Sequence, residues 1–106
     1  MTMDLNKWLK EHREIVNIGG AWTFQRPRPR ITCADGVSLS VQAGELLYST
    51  PRQDFGPYSA VEVGFPSILP EGWDEWAETK DTTETVWGYI PIEKVEEFID
   101  LHGGIA

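Results

Sequence analysis

The sequence predicts an α+β fold in which an antiparallel sheet of about four strands is flanked by an N-terminal and a C-terminal helix. Apolar residues recur at helical spacing near both ends of the chain, and they alternate with polar residues through much of the middle. No helical pattern separates the central segments, and strands that follow one another without intervening helices favour antiparallel pairing. The chain of 106 residues has the length of one ordinary domain, so we predict a single domain over residues 1–106.

Different sequence features predict the two helices. The first runs from Asp4 to Arg13, with the Asp4 carboxylate near the positive end of the helix dipole. Its apolar stripe consists of Leu5, Trp8, Leu9 and His12. The second helix has Pro91 at its first position and ends before Gly103, because proline suits a helix start and glycine suits the residue after a helix end. Its buried stripe consists of Ile92, Val95, Phe98, Ile99 and His102.

Alternating apolar residues predict the strands. The Asp35-Gly36 pair lies between two such segments and predicts a β-hairpin. The apolar positions of this hairpin are Ile31, Cys33, Val37, Leu39 and Val41. Residues 58–65 alternate again, and residues 82–90 are rich in β-branched and aromatic types and end at Pro91. One face of the 58–65 strand is predicted to carry Val61, Val63 and Phe65.

Proline and glycine shape the chain before the hairpin. The Arg-Pro repeat of residues 26–30 excludes a helix and predicts polyproline or an edge strand, because proline cannot donate a backbone hydrogen bond. Its three arginines occupy alternate positions. Upstream, a Gly-Gly pair ends a short strand or turn over residues 15–18, and residues 21–25 can extend.

The cysteine content and the hydropathy of the sequence predict the cellular compartment of the protein. A single cysteine, Cys33, excludes an internal disulfide and suits a reducing environment. The first residues carry charges where a signal peptide needs an apolar run, and no segment approaches about 18 consecutive apolar residues. We therefore expect a cytoplasmic protein that does not bind a membrane.

Charge is distributed unevenly along the chain. Residues 1–53 contain seven Lys or Arg and five acids, a net charge of +2, whereas residues 54–106 contain two lysines and twelve acids, a net charge of −10. An acidic C-terminal half repels nucleic acid and attracts proteins with basic surfaces, although the same charge also serves solubility. We therefore expect a protein partner and no direct contact with nucleic acid.

The sequence predicts no catalytic residue, no cofactor and no metal site. Nucleophilic catalysis needs a nucleophile beside a base, and Cys33, His12 and His102 each occupy a position on an apolar face where a structural role is expected. The chain has no glycine-rich phosphate loop. The acids Glu71, Asp74, Glu75, Glu78, Asp81 and Glu84 lack the spacing of a calcium-binding loop.

An acidic segment that carries tryptophan is the first candidate site. Tryptophan is a frequent interface anchor, and neighbouring carboxylates select a basic partner, such as the surface of a nucleic-acid-binding complex. The predicted partner-binding residues are Glu71, Trp73, Asp74, Glu75, Trp76 and Glu78. The alternative is a solvated acidic face with both tryptophans in the core.

A polar loop is the second candidate site. It places one guanidinium, two phenols and a hydroxyl between strands, a combination suited to a small anionic ligand such as a signalling nucleotide. The predicted ligand-binding residues are Tyr48, Thr50, Arg52 and Tyr58. The alternative is an ordinary turn whose tyrosine rings cover the sheet.

Several short segments together resemble small uncharacterised proteins encoded by tailed bacteriophages and prophages. The segments are Ala34-Asp-Gly36, Ser40-Val-Gln-Ala43, Thr50-Pro-Arg52, Gly56-Pro-Tyr58, Val61-Glu-Val-Gly-Phe-Pro-Ser67, Val86-Trp-Gly-Tyr-Ile-Pro91 and His102-Gly-Gly-Ile105. The resemblance covers about residues 30–105 and transfers no catalytic residue. It implies an accessory protein that acts in the cytoplasm of a bacterial host cell by binding a host protein, as inhibitors of CRISPR and other defence systems do.

Overall fold

The computed structural model describes residues 3–78 and 86–106. It contains a helix near each end and six strands between them, which confirms the α+β class. In chain order the elements are α1 (Leu5–Glu11), β1 (Ile15–Gly19), β2 (Trp22–Gln25), β3 (Ile31–Thr32), β4 (Ser38–Gln42), β5 (Ala60–Gly64), a 3₁₀ turn (Asp74–Trp76), β6 (Val86–Pro91) and α2 (Ile92–Leu101).

Four of the strands form one antiparallel sheet in the order β3-β4-β5-β6. The predicted hairpin joins β3 to β4, with Ile31 opposite Leu39, and it is closed by a 2.7 Å hydrogen bond from the Cys33 N–H to the Val37 carbonyl. Side chains alternate across β4 and β5, because successive residues of a strand point to opposite faces. Leu39, Val41, Val61 and Val63 are fully buried as a result.

One apolar cluster joins the sheet to both helices. The sheet and the hairpin contribute mainly aliphatic side chains and Trp87, α1 contributes Leu5 and Leu9, and α2 contributes four side chains. The four from α2 are Ile92, Val95, Phe98 and Ile99. Each burial removes apolar surface from water, which is the main stabilising term for a domain of this size.

The ends of the two helices are close to the sequence-based predictions but differ from them at His12 and Pro91. The Asp4 carboxylate caps α1 by accepting a 3.1 Å hydrogen bond from the Lys7 N–H. His12 lies one residue beyond α1 and is exposed, so it does not complete the buried stripe; its ring stacks on Trp8 at 4.3 Å. Pro91 is the cap of α2 and not its first residue, because β6 extends through it.

Two predicted strands differ from the structure at one end. Phe65 was expected on the buried face with Val63, but β5 ends at Gly64, and Phe65 takes a φ of 48° that turns the chain and leaves its ring 62% exposed. The strand predicted over residues 82–90 is seen as β6 from Val86, and residues 82–85 lie outside the described part of the chain.

Strands β1 and β2 form a separate two-stranded ribbon that precedes the main sheet. The ribbon carries the salt bridge Arg26–Glu14 at 3.1 Å, just beyond its paired residues. Ile18 and Trp22 near its turn are 66% and 76% exposed. The predicted Gly-Gly break therefore lies at the turn of a hairpin.

Arg28 joins the Arg-Pro segment to the rest of the fold. Pro27 and Pro29 have no N–H, so the segment cannot form a strand ladder, and the side-chain amide of Gln42 replaces it by bonding both the N–H and the carbonyl of Arg28 at 2.8 and 2.9 Å. The Arg28 guanidinium is buried and donates to the carbonyls of Leu9 and Ala43, each at 2.9 Å. Burial lowers the pKa of Arg28, and the neighbouring Tyr58 opposes that shift.

We expect Arg28→Lys to lower the free energy of unfolding by about 1–3 kcal/mol, because one ammonium nitrogen replaces the two separate nitrogens that bond the Leu9 and Ala43 carbonyls. The Ala43 carbonyl also accepts from the Gln25 amide at 2.9 Å, so the Leu9 carbonyl is the acceptor that depends on Arg28. Urea denaturation followed by circular dichroism measures the change. The matched control is Arg52→Lys at an exposed position, which should change the stability by less than about 0.5 kcal/mol. Equal effects of the two substitutions would contradict the assigned role of Arg28.

Candidate functional site

A groove of about 400 Å³ lies between the segment of residues 68–76 and helix α2. Its apolar lining consists of Ile68, Leu69, Trp73, Trp76, Phe98 and Leu101. Four polar side chains, Glu71, Lys94, Glu97 and His102, also line it. We refer to this surface as the α2 groove.

Trp73 belongs to the core and not to the exposed surface. Its side chain is 4% exposed, and its ring centroid lies 5.3 Å from that of Phe98. The sequence-based prediction treated Trp73 as an anchor that inserts into a partner, and burial removes it from that role. The short helical turn predicted here is present as the 3₁₀ turn, and Trp76 at its end is half-buried. Both rings therefore line a groove that can receive a side chain from another molecule.

Three exposed aliphatic side chains border these rings. Ile68, Leu69 and Leu101 are 44%, 56% and 79% exposed. Exposed apolar residues that are contiguous with a concave surface are typical of interaction sites. Sequence analysis missed all three, although Leu101 follows Phe98 by three residues and therefore extends the apolar stripe of α2 toward solvent.

The predicted carboxylates do not all lie together. Glu71 lines the α2 groove, and Asp74 and Glu75 are exposed on the 3₁₀ turn beside it. Glu78 lies elsewhere, since its Oε1 atom is 2.9 Å from the position that a Cβ at Gly88 would take. Asp81 and Glu84 lie outside the described residues. Within the groove Glu97 pairs with Lys94 at 3.6 Å, an exposed contact that contributes little to stability.

A histidine–aspartate contact fixes the end of α2 at the groove. His102 Nδ1 lies 2.7 Å from Asp35 Oδ2, and the His102 ring lies 4.7 Å from that of Phe98. Gly103 follows with a φ of 92°, the left-handed conformation that ends a helix. The pKa of Asp35 is lowered, first because its carboxylate accepts a 3.0 Å hydrogen bond from the Val37 N–H and also because His102 bonds to it. The contact with Asp35 therefore holds the His102 ring at the end of α2.

The predicted loop site does not assemble as a group of four. Tyr58 is 3% exposed and its hydroxyl donates to the Gln53 carbonyl at 2.7 Å, so its ring is not available to a ligand; burial also raises its pKa. Thr50 pairs through its backbone with Ala60. Tyr48 and Arg52 do meet, with the guanidinium carbon 5.8 Å from the ring centroid.

A β-bulge brings a third aromatic residue to that pair. The register of β5 with β6 shifts between Val61 and Val63, and Tyr89 takes a φ of 54° with its ring 5.8 Å from Tyr48. The backbone passes close to Tyr48 here, since a Cβ at Gly88 would lie 2.9 Å from the Tyr48 Cβ. The Gly-Tyr pair within a predicted strand was the available signal of a bulge.

The remaining reactive groups are held in structural positions. Cys33 is buried, and burial raises the pKa of its thiol, which opposes the reactive thiolate. Over residues 3–78 and 86–106, no three His, Cys, Asp or Glu side chains come together in a way that would hold a metal ion. No helix in the same ranges has the length and apolar character needed to cross a bilayer.

Comparison with known proteins identifies no relative. No family model, no curated protein and no solved structure matches this chain. The surface of the described residues is therefore the basis for inferring function.

We expect Asp35→Asn to reduce the acid sensitivity of the fold. Because the folded pKa of Asp35 is lowered, its ionised form adds stability above the ordinary aspartate pKa, and that stability is lost as the pH falls below about 4 through the folded value. The melting temperature measured from neutral pH to about pH 2.5 should fall less steeply in the variant. A constant difference between the two proteins over this range would contradict the assignment.

Proposed function

We propose that the chain is a phage- or prophage-encoded accessory protein that binds a host protein with a basic surface and thereby inhibits a host defence or regulatory complex, in the manner of anti-CRISPR proteins. The observation that carries the proposal is the α2 groove, in which buried tryptophan and phenylalanine rings are bordered by exposed leucines and carboxylates. The resemblance to phage proteins supports the host protein as the partner. The site of action would then be the cytoplasm of the bacterial host cell.

The apolar part of the groove supplies the affinity. Leu69 and Leu101 are mostly exposed, and covering them removes apolar surface from water at a gain of about 25 cal/mol per Å². A groove of about 400 Å³ has room for one or two large side chains of a partner, with Trp73 and Phe98 in its lining. Residues that fill such a pocket at the centre of a contact dominate binding energy.

The carboxylates supply the selection of the partner. Glu71, Asp74 and Glu75 are exposed next to the groove, in a half of the chain whose net charge is −10. Complementary charge accelerates encounter with a basic surface and penalises acidic partners and nucleic acid. Asp74 and Glu75 belong to one short turn, so a single basic patch can face both.

Binding rather than catalysis is favoured by the state of the reactive side chains. Cys33 is buried with a raised thiol pKa, His102 is bonded to Asp35, and His12 contacts the Trp8 carbonyl at 2.8 Å. Each group already has a structural partner or environment. An inhibitor of this kind needs only a surface that binds the partner protein and so blocks the partner's own binding surface.

The charge requirement is tested by capture from a bacterial lysate on the tagged protein, with bound proteins identified by mass spectrometry. We expect Glu71→Lys with Glu75→Lys to reduce capture about tenfold at low salt, and rising salt to weaken capture by the unchanged protein. The control, Glu11→Lys with Glu45→Lys, changes the net charge equally at exposed positions away from the groove. Equal capture by both variants, or no retained protein, would refute docking through this surface.

The apolar requirement is tested with Leu101→Ser. Leu101 is exposed, so the fold should tolerate the change, whereas a buried contact in the complex would be lost at about 2 kcal/mol, or roughly thirtyfold in the dissociation constant. Biolayer interferometry with the captured partner measures the loss. Leu46→Ser, at a leucine that is 87% exposed and lies outside the groove, is the matched control. A partner that binds both variants equally does not use the α2 groove.

A further inference from the structure

A second groove, of about 430 Å³, lies between α1 and the loop of residues 55–58. Asn6 fixes the two walls relative to each other, because its side-chain amide donates to the Tyr58 carbonyl at 3.0 Å and accepts from the Tyr58 N–H at 2.7 Å. The groove is lined by Asn6, Lys7, Lys10, Arg13, Phe55, Gly56, Pro57 and Tyr58. We refer to it as the α1 groove.

The charge of this groove is opposite to that of the chain. Three cations line it and no carboxylate does, although the net charge of the whole protein is −8. Lys7 and Lys10 are three residues apart on α1 and therefore share one side of the helix. Within residues 3–78 and 86–106, neither lysine nor Arg13 has a carboxylate within 4.0 Å.

Arg13 stands next to a further cation, and one of its nitrogen donors lacks an acceptor. Its positive charge acts on buried Arg28, as does the negative charge of Asp54, although no carboxylate lies within 4.0 Å of either guanidinium among the described residues. The Nε of Arg13 is buried and has no hydrogen-bond acceptor in that part of the chain. Buried donors in folded proteins are normally paired, so the unpaired Nε favours an acceptor from outside the chain, and the three cations of the lining favour an anion as that acceptor.

The groove also offers a flat apolar surface. The Phe55 ring is 60% exposed, and the Arg13 guanidinium carbon lies 4.5 Å from its centroid. Planar guanidinium groups and aromatic rings stack on nucleobases, while lysine and arginine bind phosphate oxygens. A ligand that carries both a planar ring and phosphates would use the exposed Phe55 ring as well as the three cations of the groove.

We propose that the α1 groove binds a nucleoside phosphate, with the phosphates accepting hydrogen bonds from Lys7, Lys10 and Arg13 and the base packing against the Arg13–Phe55 pair. This site shares no lining residue with the α2 groove, so it goes beyond the binding function proposed above and its failure would leave that function untouched. It also differs from the predicted loop site, whose guanidinium is Arg52.

Isothermal titration of the full chain at low ionic strength with ADP, pyrophosphate and adenosine tests the proposal. We expect ADP to bind more tightly than either fragment. Lys7→Gln with Lys10→Gln should weaken ADP binding about tenfold, which corresponds to about 1.4 kcal/mol, because charge-assisted hydrogen bonds to the phosphates are lost. The fold should be preserved, since both side chains are exposed. Phe55→Ala should weaken ADP more than pyrophosphate.

The matched control is Arg26→Gln with Arg30→Gln, which removes two exposed cations outside the α1 groove. ADP should bind this variant as tightly as the unchanged protein. Absence of ADP binding, or a loss in the control that equals the loss in the lysine variant, would overturn the site. Pyrophosphate binding as tight as ADP, or equal competition by an oligoglutamate peptide, would overturn the nucleoside assignment.

Discussion

The buried Arg28 guanidinium is the contact on which the arrangement of this protein depends. It links the carbonyl of Leu9 in the last turn of α1 to the carbonyl of Ala43 after β4, and so ties the N-terminal helix to the end of the sheet. The helix is only seven residues long and contributes two fully buried side chains. A helix this short is only marginally stable in water, so contacts with the rest of the fold must stabilise it. Arg28 and Asn6 are two polar side chains that supply them.

Two grooves of opposite character follow from this arrangement. The α1 groove exists because Asn6 holds the Tyr58 backbone against the helix, and the α2 groove is bordered by a helix end that Asp35 holds through His102. In both cases a hydrogen-bonding side chain from a distant part of the sequence sets the geometry. Hydrogen bonds within the chain therefore hold one wall of each groove.

The five tryptophans show why residue type alone does not identify a surface. Trp73 and Trp87 are buried, Trp22 is 76% exposed, and Trp8 and Trp76 are half-buried. Tryptophan is large and amphipathic, so it serves cores and interfaces equally well. In the α2 groove the exposed apolar surface comes from Leu69 and Leu101 and not from Trp73.

The sequence by itself determined the fold class, the hairpin at Asp35-Gly36, both helices and the end of α2 before Gly103. These features depend on contacts between residues close along the chain, where spacing and turn chemistry are sufficient. The tertiary structure alone decided that Arg28 is buried, that Tyr58 faces inward and that Lys7, Lys10 and Arg13 line one groove with Phe55. Those outcomes depend on pairs such as Arg28 with Leu9 and Asn6 with Tyr58, which are 19 and 52 residues apart. No local pattern encodes such distant pairs, because each joins segments that only the tertiary fold brings together.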